Sequence, residues 1–266
     1  MSRFMIRIVR AVCPPAGMLL CASLCIAGEL QTAEEIRECT RDNSPDSTSI
    51  QLIELKSIDR AAGERKMDAR LHWKKDDEGH VRLMIRVLAP ADLKGSSYLV
   101  IENEPRDTVY VYLPALGKPR RIVGGGARAI WSTDFSYEDI RLLQMKSAAT
   151  DVERLPDSEV AGRATYVMAQ QPDPARETGY DRILSYVDKE TCVALKTEYF
   201  ETGDQMRKRL MVDPSTVAQV NGKWIAHDLE MTDLRDDTQS WIQVKEISID
   251  EKISSRYFNT VQFWSR

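Results

Sequence analysis

The sequence contains many short segments in which apolar and polar residues alternate, and this pattern constrains the fold more than any other feature. In residues 80–87, apolar side chains alternate with Arg82, Met84 and Arg86, as in a strand that buries one face. Turn signals such as Asn221-Gly222 separate the segments. We predict strands at residues 49–59, 66–73, 80–87, 108–113, 120–123, 160–170, 180–187, 192–200, 205–212, 224–231 and 240–249.

So many strands joined by short turns predict a mainly β (α+β) protein with an antiparallel sheet. Few helical patterns accompany them. A long open sheet exposes unpaired backbone groups at its edges, so a sheet of this size must curl. The sequence therefore predicts a barrel or a deeply curved sheet, with a few short helices against one mouth.

Residues 107–140 form the stretch around which the chain is organised. Residues 108–113 alternate β-branched and aromatic residues, which indicates a central strand. Pro114 and Pro119 enclose a turn that contains Gly117, and Arg120 and Arg121 begin the next short strand. The two strands therefore form a predicted hairpin.

Three consecutive glycines, residues 124–126, follow the hairpin and leave the backbone nearly unrestrained. Ile130, Trp131 and Phe135 come next, so a flexible arm would carry large apolar groups. Ser136 then begins S-Y-E-D, which is typical of the capping box at the start of a helix. The predicted order is strand, hairpin, flexible arm and helix.

Two motifs in this stretch, Y-L-P-A-L-G-K-P-R-R-I and S-T-D-F-S-Y-E-D, resemble the LolA-like outer-membrane lipoprotein-sorting family of bacterial periplasmic proteins. The upstream segment R-V-L-A-P-A-D-L-K-G-S-S-Y-L-V, from Arg86 to Val100, is similar to a strand, turn and strand of that family. The resemblance extends from about Thr32 to the C-terminus. It implies a half-open antiparallel β-barrel, with helices covering the open side, that shields a hydrophobic passenger.

The resemblance favours a ligand-binding role for the apolar residues of the organising stretch. They would line a hydrophobic cavity or form its lid; the alternative is that they only plug one end of the sheet. Arg120 and Arg121 would contact a lipid head group or an acidic partner, or would guard an edge strand against aggregation. The candidate cavity and lid residues are Ile130, Trp131, Phe135, Tyr110 and Tyr112.

Residues 1–27 have the composition of a secretory signal peptide. Arg3, Arg7 and Arg10 precede an apolar run, and no acidic residue interrupts them. The run is too short for a membrane span, and leucines stand where a lipoprotein signal needs a small residue. We expect cleavage after Ala27, a chain that begins at Gly28, and a periplasmic protein with one domain at residues 28–266.

Charge and cysteine content are consistent with export. The formal net charge is −4, and cleavage would remove three arginines to give −7 (−4 − 3). This balance argues against binding to nucleic acid or to anionic membrane surfaces. Cys39 and Cys192 would be the two remaining cysteines, and an oxidising compartment predicts a disulfide between them. The alternative is two separately buried thiols.

The sequence contains no recognisable catalytic or metal-binding motif. His72, His80 and His227 lie in or beside predicted strands without metal-ligand spacing. Asp134, Glu138 and Asp139 cluster at a predicted helix start, where the helix dipole favours negative charge. We therefore predict no enzyme, no catalytic residue, no metal and no cofactor.

By resemblance, the function is to carry the acyl chains of lipoproteins or of another lipid towards the outer membrane. Its partners would be an inner-membrane transporter and an outer-membrane acceptor, and the protein would act as a monomer without nucleic acid. Two alternatives are a periplasmic accessory of a membrane lipid transporter that carries no cargo, and a lipid-directed hydrolase with a dispersed site.

Overall fold

The computed structural model describes residues 29–103, 107–122, 129–144, 149–173 and 178–265. The signal peptide predicted at residues 1–27, the start at Gly28 and the glycines at 124–126 lie outside these ranges. The helices are α1 (Ala33–Asp42) and α2 (Tyr137–Gln144). The strands are β1 (Thr48–Ile58), β2 (Glu64–Lys75), β3 (Val81–Ala89), β4 (Ser97–Ile101), β5 (Thr108–Tyr112), β6 (Pro119–Ile122), β7 (Ala149–Val160), β8 (Arg163–Pro172), β9 (Arg182–Asp188), β10 (Ala194–Glu201), β11 (Gln205–Val212), β12 (Ala218–Val220), β13 (Lys223–Ile225), β14 (Asp228–Asp233) and β15 (Thr238–Ile249).

Thirteen strands form one curved antiparallel sheet that does not close. Its order is β6-β5-β4-β3-β2-β1-β15-β14-β11-β10-β9-β8-β7, and β12 pairs with β13 separately. Most neighbours follow one another in sequence, because hairpin turns join them. The pairing of β1 with β15 unites the first and last strands at the middle of the sheet. The predicted mainly β fold, with a curved sheet and few helices, is confirmed.

One face of the sheet, here called the inner face, carries the main hydrophobic core. Leu71, Trp73 and Ile85 are each no more than 3% exposed on this face. They alternate with residues of the opposite, outer face, as the pleat of a strand requires. Helix α1 and residues 129–144 lie over the inner face and complete the core.

The outer face of β3, β4 and β5 is covered by the C-terminal residues 253–265. Phe258 and Phe263 pack there against Met84 and Leu99. Both phenylalanines are almost fully buried. The C-terminal segment therefore forms a second, smaller core on the outer side of the sheet.

Several predicted strands differ from those observed. Strand β5 lies next to the edge rather than in the centre. The stretch 160–170 begins with the turn between β7 and β8, where Ala161 and Gly162 both adopt positive φ, at 49° and 77°. The stretch 224–231 divides between β13 and β14. Strand β7 was not predicted from the sequence. It is an edge strand of the sheet, and an edge position tolerates Pro156.

Helix α1 is fixed at both ends. Thr32 and Glu35 form the capping box predicted from the sequence, with each side chain accepting a bond from the other residue's backbone N–H. At the C-terminal end, Asn43 donates to the Thr191 carbonyl at 2.7 Å. A disulfide joins Cys39 to Cys192, as predicted. These contacts hold α1 against the turn between β9 and β10.

Candidate ligand cavity

Residues 129–144, here called the covering segment, fold into a tight loop followed by α2. The Ile130 amide donates to the Phe135 carbonyl at 2.8 Å, and the Thr133 hydroxyl donates to the Ile130 carbonyl at 2.7 Å. Ser136 and Asp139 then form a reciprocal capping pair, at 2.7 and 3.1 Å. The helix start predicted at Ser136 is therefore present.

A buried ion pair anchors the covering segment to the sheet. Lys208 on β11 donates to Asp139 at 2.9 Å and to the Asp134 carbonyl at 2.7 Å. Asp139 is fully buried, and its other carboxylate oxygen accepts from the Tyr180 hydroxyl at 2.7 Å. Burial, together with the Asp139 charge, raises the pKa of Tyr180 far above its ordinary value, so this hydroxyl stays a donor.

The other two acids of the segment are also structural anchors. The Asp134 carboxylate accepts from the hydroxyls of Ser240, at 2.6 Å, and Thr238 on β15. Glu138 accepts from the Gly179 amide at 3.0 Å and from the Thr178 hydroxyl. Their hydrogen bonds therefore tie the loop to β15 and the first turn of α2 to the residues before β9. The capping role expected at the start of this helix is filled by Asp139.

A cavity of about 420 Å³ lies between the inner face, α1 and the covering segment. Its wall is mainly apolar, and a few polar side chains interrupt it. Arg37, Thr40 and Arg41 of α1 line its other side. The apolar wall includes Ile53, Leu71, Trp73, Ile183 and Val244, and the polar groups include Gln51, Gln170, Ser185 and Thr197.

The structure brings together three of the five predicted cavity residues. Ile130, Trp131 and Phe135 all line the cavity. Ile130 and Phe135 are almost fully buried, whereas Trp131 is half-buried and packs edge-on against Tyr98 with ring centroids 4.5 Å apart. The indole Nε1 of Trp131 is buried without a hydrogen-bond partner in the described part of the chain.

Tyr110 and Tyr112 do not line the cavity, so their predicted placement was wrong. Both side chains belong to the outer-face cluster, and the Tyr112 ring stacks on Trp264 at 5.4 Å. The physical reason is register: Val109, between Thr108 and Tyr110, takes the inner face, and alternation turns the tyrosines outward.

Arg120 and Arg121 lie on β6, an edge strand of the sheet, and both are exposed. Arg120 pairs with Val111 and Arg121 pairs with Tyr110. Alternation therefore points the two side chains to opposite faces. A joint contact of both arginines with one small head group does not fit this arrangement.

The sequence did not identify the cavity wall formed by α1 and strands β8 to β10. Ile183, Ser185 and Val187 show the two-residue period, so their shared face could have been read from the sequence. Which face turns inward follows only from the pairing with neighbouring strands. The contribution of α1 depends on the Cys39–Cys192 bridge and on Asn43, whose partners are distant in sequence.

Within the described ranges, no group of three or more histidine, cysteine, aspartate or glutamate side chains is arranged to hold a metal ion. In the same residues, neither helix has the length and apolar composition needed to cross a membrane. The cavity is thus an apolar compartment with scattered polar groups, of the volume typical of small-molecule sites.

Comparisons with solved structures identify the architecture. A DUF1329 family protein from Desulfovibrio piger superposes with a TM-score of 0.79 and 23% identity, over 86% of this chain and 98% of that one. A domain from Vibrio parahaemolyticus, provisionally assigned to outer membrane lipoprotein sorting, gives 0.76 and 20%, over 87% and 97%. The LolA superfamily protein NE2245 from Nitrosomonas europaea gives 0.69 and 14%, over 86% and 98%.

At these identities the three structures establish the fold. No curated protein matches the sequence. A protein-family model with the description "Uncharacterized protein" matches residues 79–263, which is well over half of the chain. The chain therefore belongs to that family, and its fold is the one seen in the three solved structures, which include a LolA superfamily protein.

Proposed function

We propose that this protein is a periplasmic carrier that shields an acyl chain of a lipid or lipoprotein in the inner-face cavity during transfer towards the outer membrane. The observation that carries the proposal is the cavity of about 420 Å³, enclosed between an apolar sheet face, α1 and the covering segment. The LolA-like fold supports the same role. Of the structures with this fold, the Vibrio parahaemolyticus domain is described with outer membrane lipoprotein sorting, and the Nitrosomonas europaea protein is described as a member of the LolA superfamily.

The chemistry of the wall suits an acyl chain. Each methylene group that moves from water into an apolar cavity contributes about 0.8 kcal/mol. A chain of several methylenes therefore gains enough free energy to bind without a covalent bond. Hydroxyl and amide groups such as those of Ser185 and Thr197 lie between the apolar residues of this wall.

The covering segment acts as the lid of this carrier. Ile130 and Phe135 are buried, and an acyl chain that displaced them would replace their apolar contacts. Loading and release then require two states that differ by only a few kcal/mol. The anchors at Asp139 and Lys208 set how far α2 moves when the loop around Trp131 opens.

The disulfide fits an oxidising compartment such as the periplasm. In this proposal a monomeric carrier receives its passenger from an inner-membrane transporter and delivers it to an outer-membrane acceptor. The open sheet edge at β6, with exposed Arg120 and Arg121, is available to an acidic partner.

The test is to purify the full-length chain's processed product from the periplasm without detergent, extract it with organic solvent and identify the extract by mass spectrometry. We expect a lipid or acylated peptide in stoichiometric amount. Protein that is empty, and that stays empty after incubation with lipid vesicles, would contradict the carrier and favour a cargo-free accessory. Release of free fatty acid from esters would instead favour a hydrolase.

A further inference from the structure

A second cavity, of about 330 Å³, lies beside the first on the inner face. It is bounded by the end of β1, the start of β2 and the turn between β3 and β4, which contributes Pro90, Asp92 and Leu93. Two residues line both cavities, Leu55 of the sheet and Trp131 of the covering segment. These two side chains are therefore the partition between the compartments.

Trp131 is the part of this partition that belongs to the lid. Its φ is 46° and that of Ser132 is 61°, both in the left-handed region that bulky residues seldom adopt. The buried indole N–H, which has no acceptor within the described ranges, adds a second unfavourable feature. The closed position of Trp131 is thus held by its surroundings, and a ligand that moved the indole could give Nε1 an acceptor.

Both cavities have cationic side chains in their walls: Arg37, Arg41 and Lys75 line the first, where Arg37 pairs with Glu34 at 2.6 Å and Arg41 lies 3.4 Å from Glu34. Arg65 lies two positions before the inner-face residue Met67, and its register partner is Ser57, which also lines this cavity. Arg65 is exposed and forms no ion pair with any residue in the described part of the chain. Lys66 and Asp92 also line the cavity, so two cations face one anion, and Lys66 lies 3.7 Å from Glu64.

We propose that the second cavity receives the anionic head group of an acyl ligand whose chain fills the first cavity, with Arg65 as its contact and Trp131 as the gate between the two. The inference rests on the proposed carrier function and deepens it. The anionic end of the chain would be a carboxylate or a phosphate ester. Both groups bind best to a cation that presents its hydrogen-bond donors as a fork, and the arginine guanidinium has this geometry. A mainly apolar cavity next to an arginine that forms no ion pair among the described residues matches a single-chain amphiphile with one negative end.

The test uses displacement of the neutral fluorophore N-phenyl-1-naphthylamine from the processed protein at pH 8. The competitors are dodecanoate, dodecyl phosphate and the uncharged dodecanol, which share one chain. The variants are Arg65→Gln and, as a matched control, Arg70→Gln, since Arg70 is exposed on the outer face of the same strand. Circular dichroism checks that each variant is folded.

We expect the unaltered protein to bind at least one anionic competitor about tenfold more tightly than dodecanol. One charge-assisted hydrogen bond contributes a difference in affinity of about this size. Arg65→Gln should remove this preference and leave dodecanol binding unchanged, whereas Arg70→Gln should keep it. A preference for dodecanoate or for dodecyl phosphate identifies the head group as carboxylate or phosphate.

Equal affinity of the unaltered protein for all three competitors would overturn the head-group inference and leave the carrier proposal standing. A preference that survives Arg65→Gln would overturn it as well. Failure of every competitor to displace the fluorophore would contradict both the inference and the carrier function.

Discussion

Trp131 and Phe135 are four positions apart in the covering segment, yet they differ in burial. Phe135 is fully buried, whereas Trp131 is half-buried and its Nε1 has no hydrogen-bond partner among the described residues. Phe135→Ala should lower the free energy of unfolding by about 3–5 kcal/mol, as for a core aromatic. Trp131→Ala should cost less than Phe135→Ala, because less packing is lost and a buried unpaired donor is removed.

Urea denaturation of the two variants measures this difference in stability. The affinity of each variant for N-phenyl-1-naphthylamine measures how well its cavity retains an apolar ligand. We expect Trp131→Ala to weaken retention while the protein stays folded. Equal destabilisation by both substitutions, with unchanged retention in Trp131→Ala, would show that Trp131 is ordinary core rather than part of a lid.

His72 makes stability depend on pH. Its ring is buried on the outer face and stacks on Tyr257 with ring centroids 4.2 Å apart. Burial, with the positive charges of Arg70 and Arg86, lowers the pKa of His72 from 6.5 to about 4. The unfolded chain therefore binds the proton first as pH falls, and the stabilisation present above pH 6.5 is lost progressively down to about pH 4.

The shift from 6.5 to about 4 corresponds to about 3 kcal/mol of stability lost across that range. Glutamine cannot be protonated in this range, so the free energy of unfolding of His72→Gln should fall by about 3 kcal/mol less than that of the unaltered protein between pH 7.5 and 4. Urea denaturation repeated across this pH range measures the difference. Parallel loss of stability in the two proteins would mean that His72 titrates equally in the folded and unfolded states.

Among the elements, α2 depends on the Asp139–Lys208 pair for its position on the sheet. Lys208→Met would leave the fully buried Asp139 carboxylate with only its neutral donors. Breaking a buried pair from one side typically costs about 3–5 kcal/mol, and we expect a loss of that size in the free energy of unfolding. The measurement is denaturation of the single variants Lys208→Met and Asp139→Asn and of the double variant.

The double variant is the internal control for this prediction. It removes both charges, so its loss of stability should be clearly smaller than the sum of the two single losses. Additive losses would show that the two side chains do not interact, and that α2 is held by its apolar contacts alone.

Local signals in the sequence predicted some elements well. The capping boxes at Thr32 and Ser136 depend on residues three positions apart, and both are present. The hairpin at Ala161-Gly162 was not predicted, since alanine is not a usual residue at positive φ. Strand β7 was missed because an edge strand can hold Pro156 and several charges that would argue against a central strand.

For the whole molecule, the sequence predicted the curved sheet but not which residues face the cavity. Alternation assigns residues to two faces, and the choice between the faces depends on pairing over long sequence distances. Tyr110 and Tyr112 show this limit, because the C-terminal residues 253–265 create a second core on the outer face. No local feature near the tyrosines indicates that a distant segment covers them.

The cavity itself is a property of the complete sheet. Strands β1 to β3, β8 to β11 and β13 to β15 contribute to its wall, and α1 and the covering segment close it from above. The Cys39–Cys192 bridge links residues 153 positions apart and fixes α1 at the cavity rim. A carrier role therefore depends on long-range contacts that only the folded chain provides.

Filling the cavity tests the central claim most directly. Thr197 is buried on the inner face of β10 and lines the cavity, so Thr197→Trp should occupy the space of an acyl chain. Arg209→Trp places the same side chain at an exposed position of β11 next to it and serves as the matched control. Overpacking costs about 1–3 kcal/mol, so thermal denaturation must first confirm that both variants are folded.

The decisive measurement is the affinity of both variants for dodecanoate and dodecanol, relative to the unaltered protein. We predict that Thr197→Trp weakens binding of both ligands at least about tenfold, since the apolar contacts of several methylenes are lost. Arg209→Trp should bind as the unaltered protein does. Unchanged binding by folded Thr197→Trp would place the ligand elsewhere and contradict the carrier account.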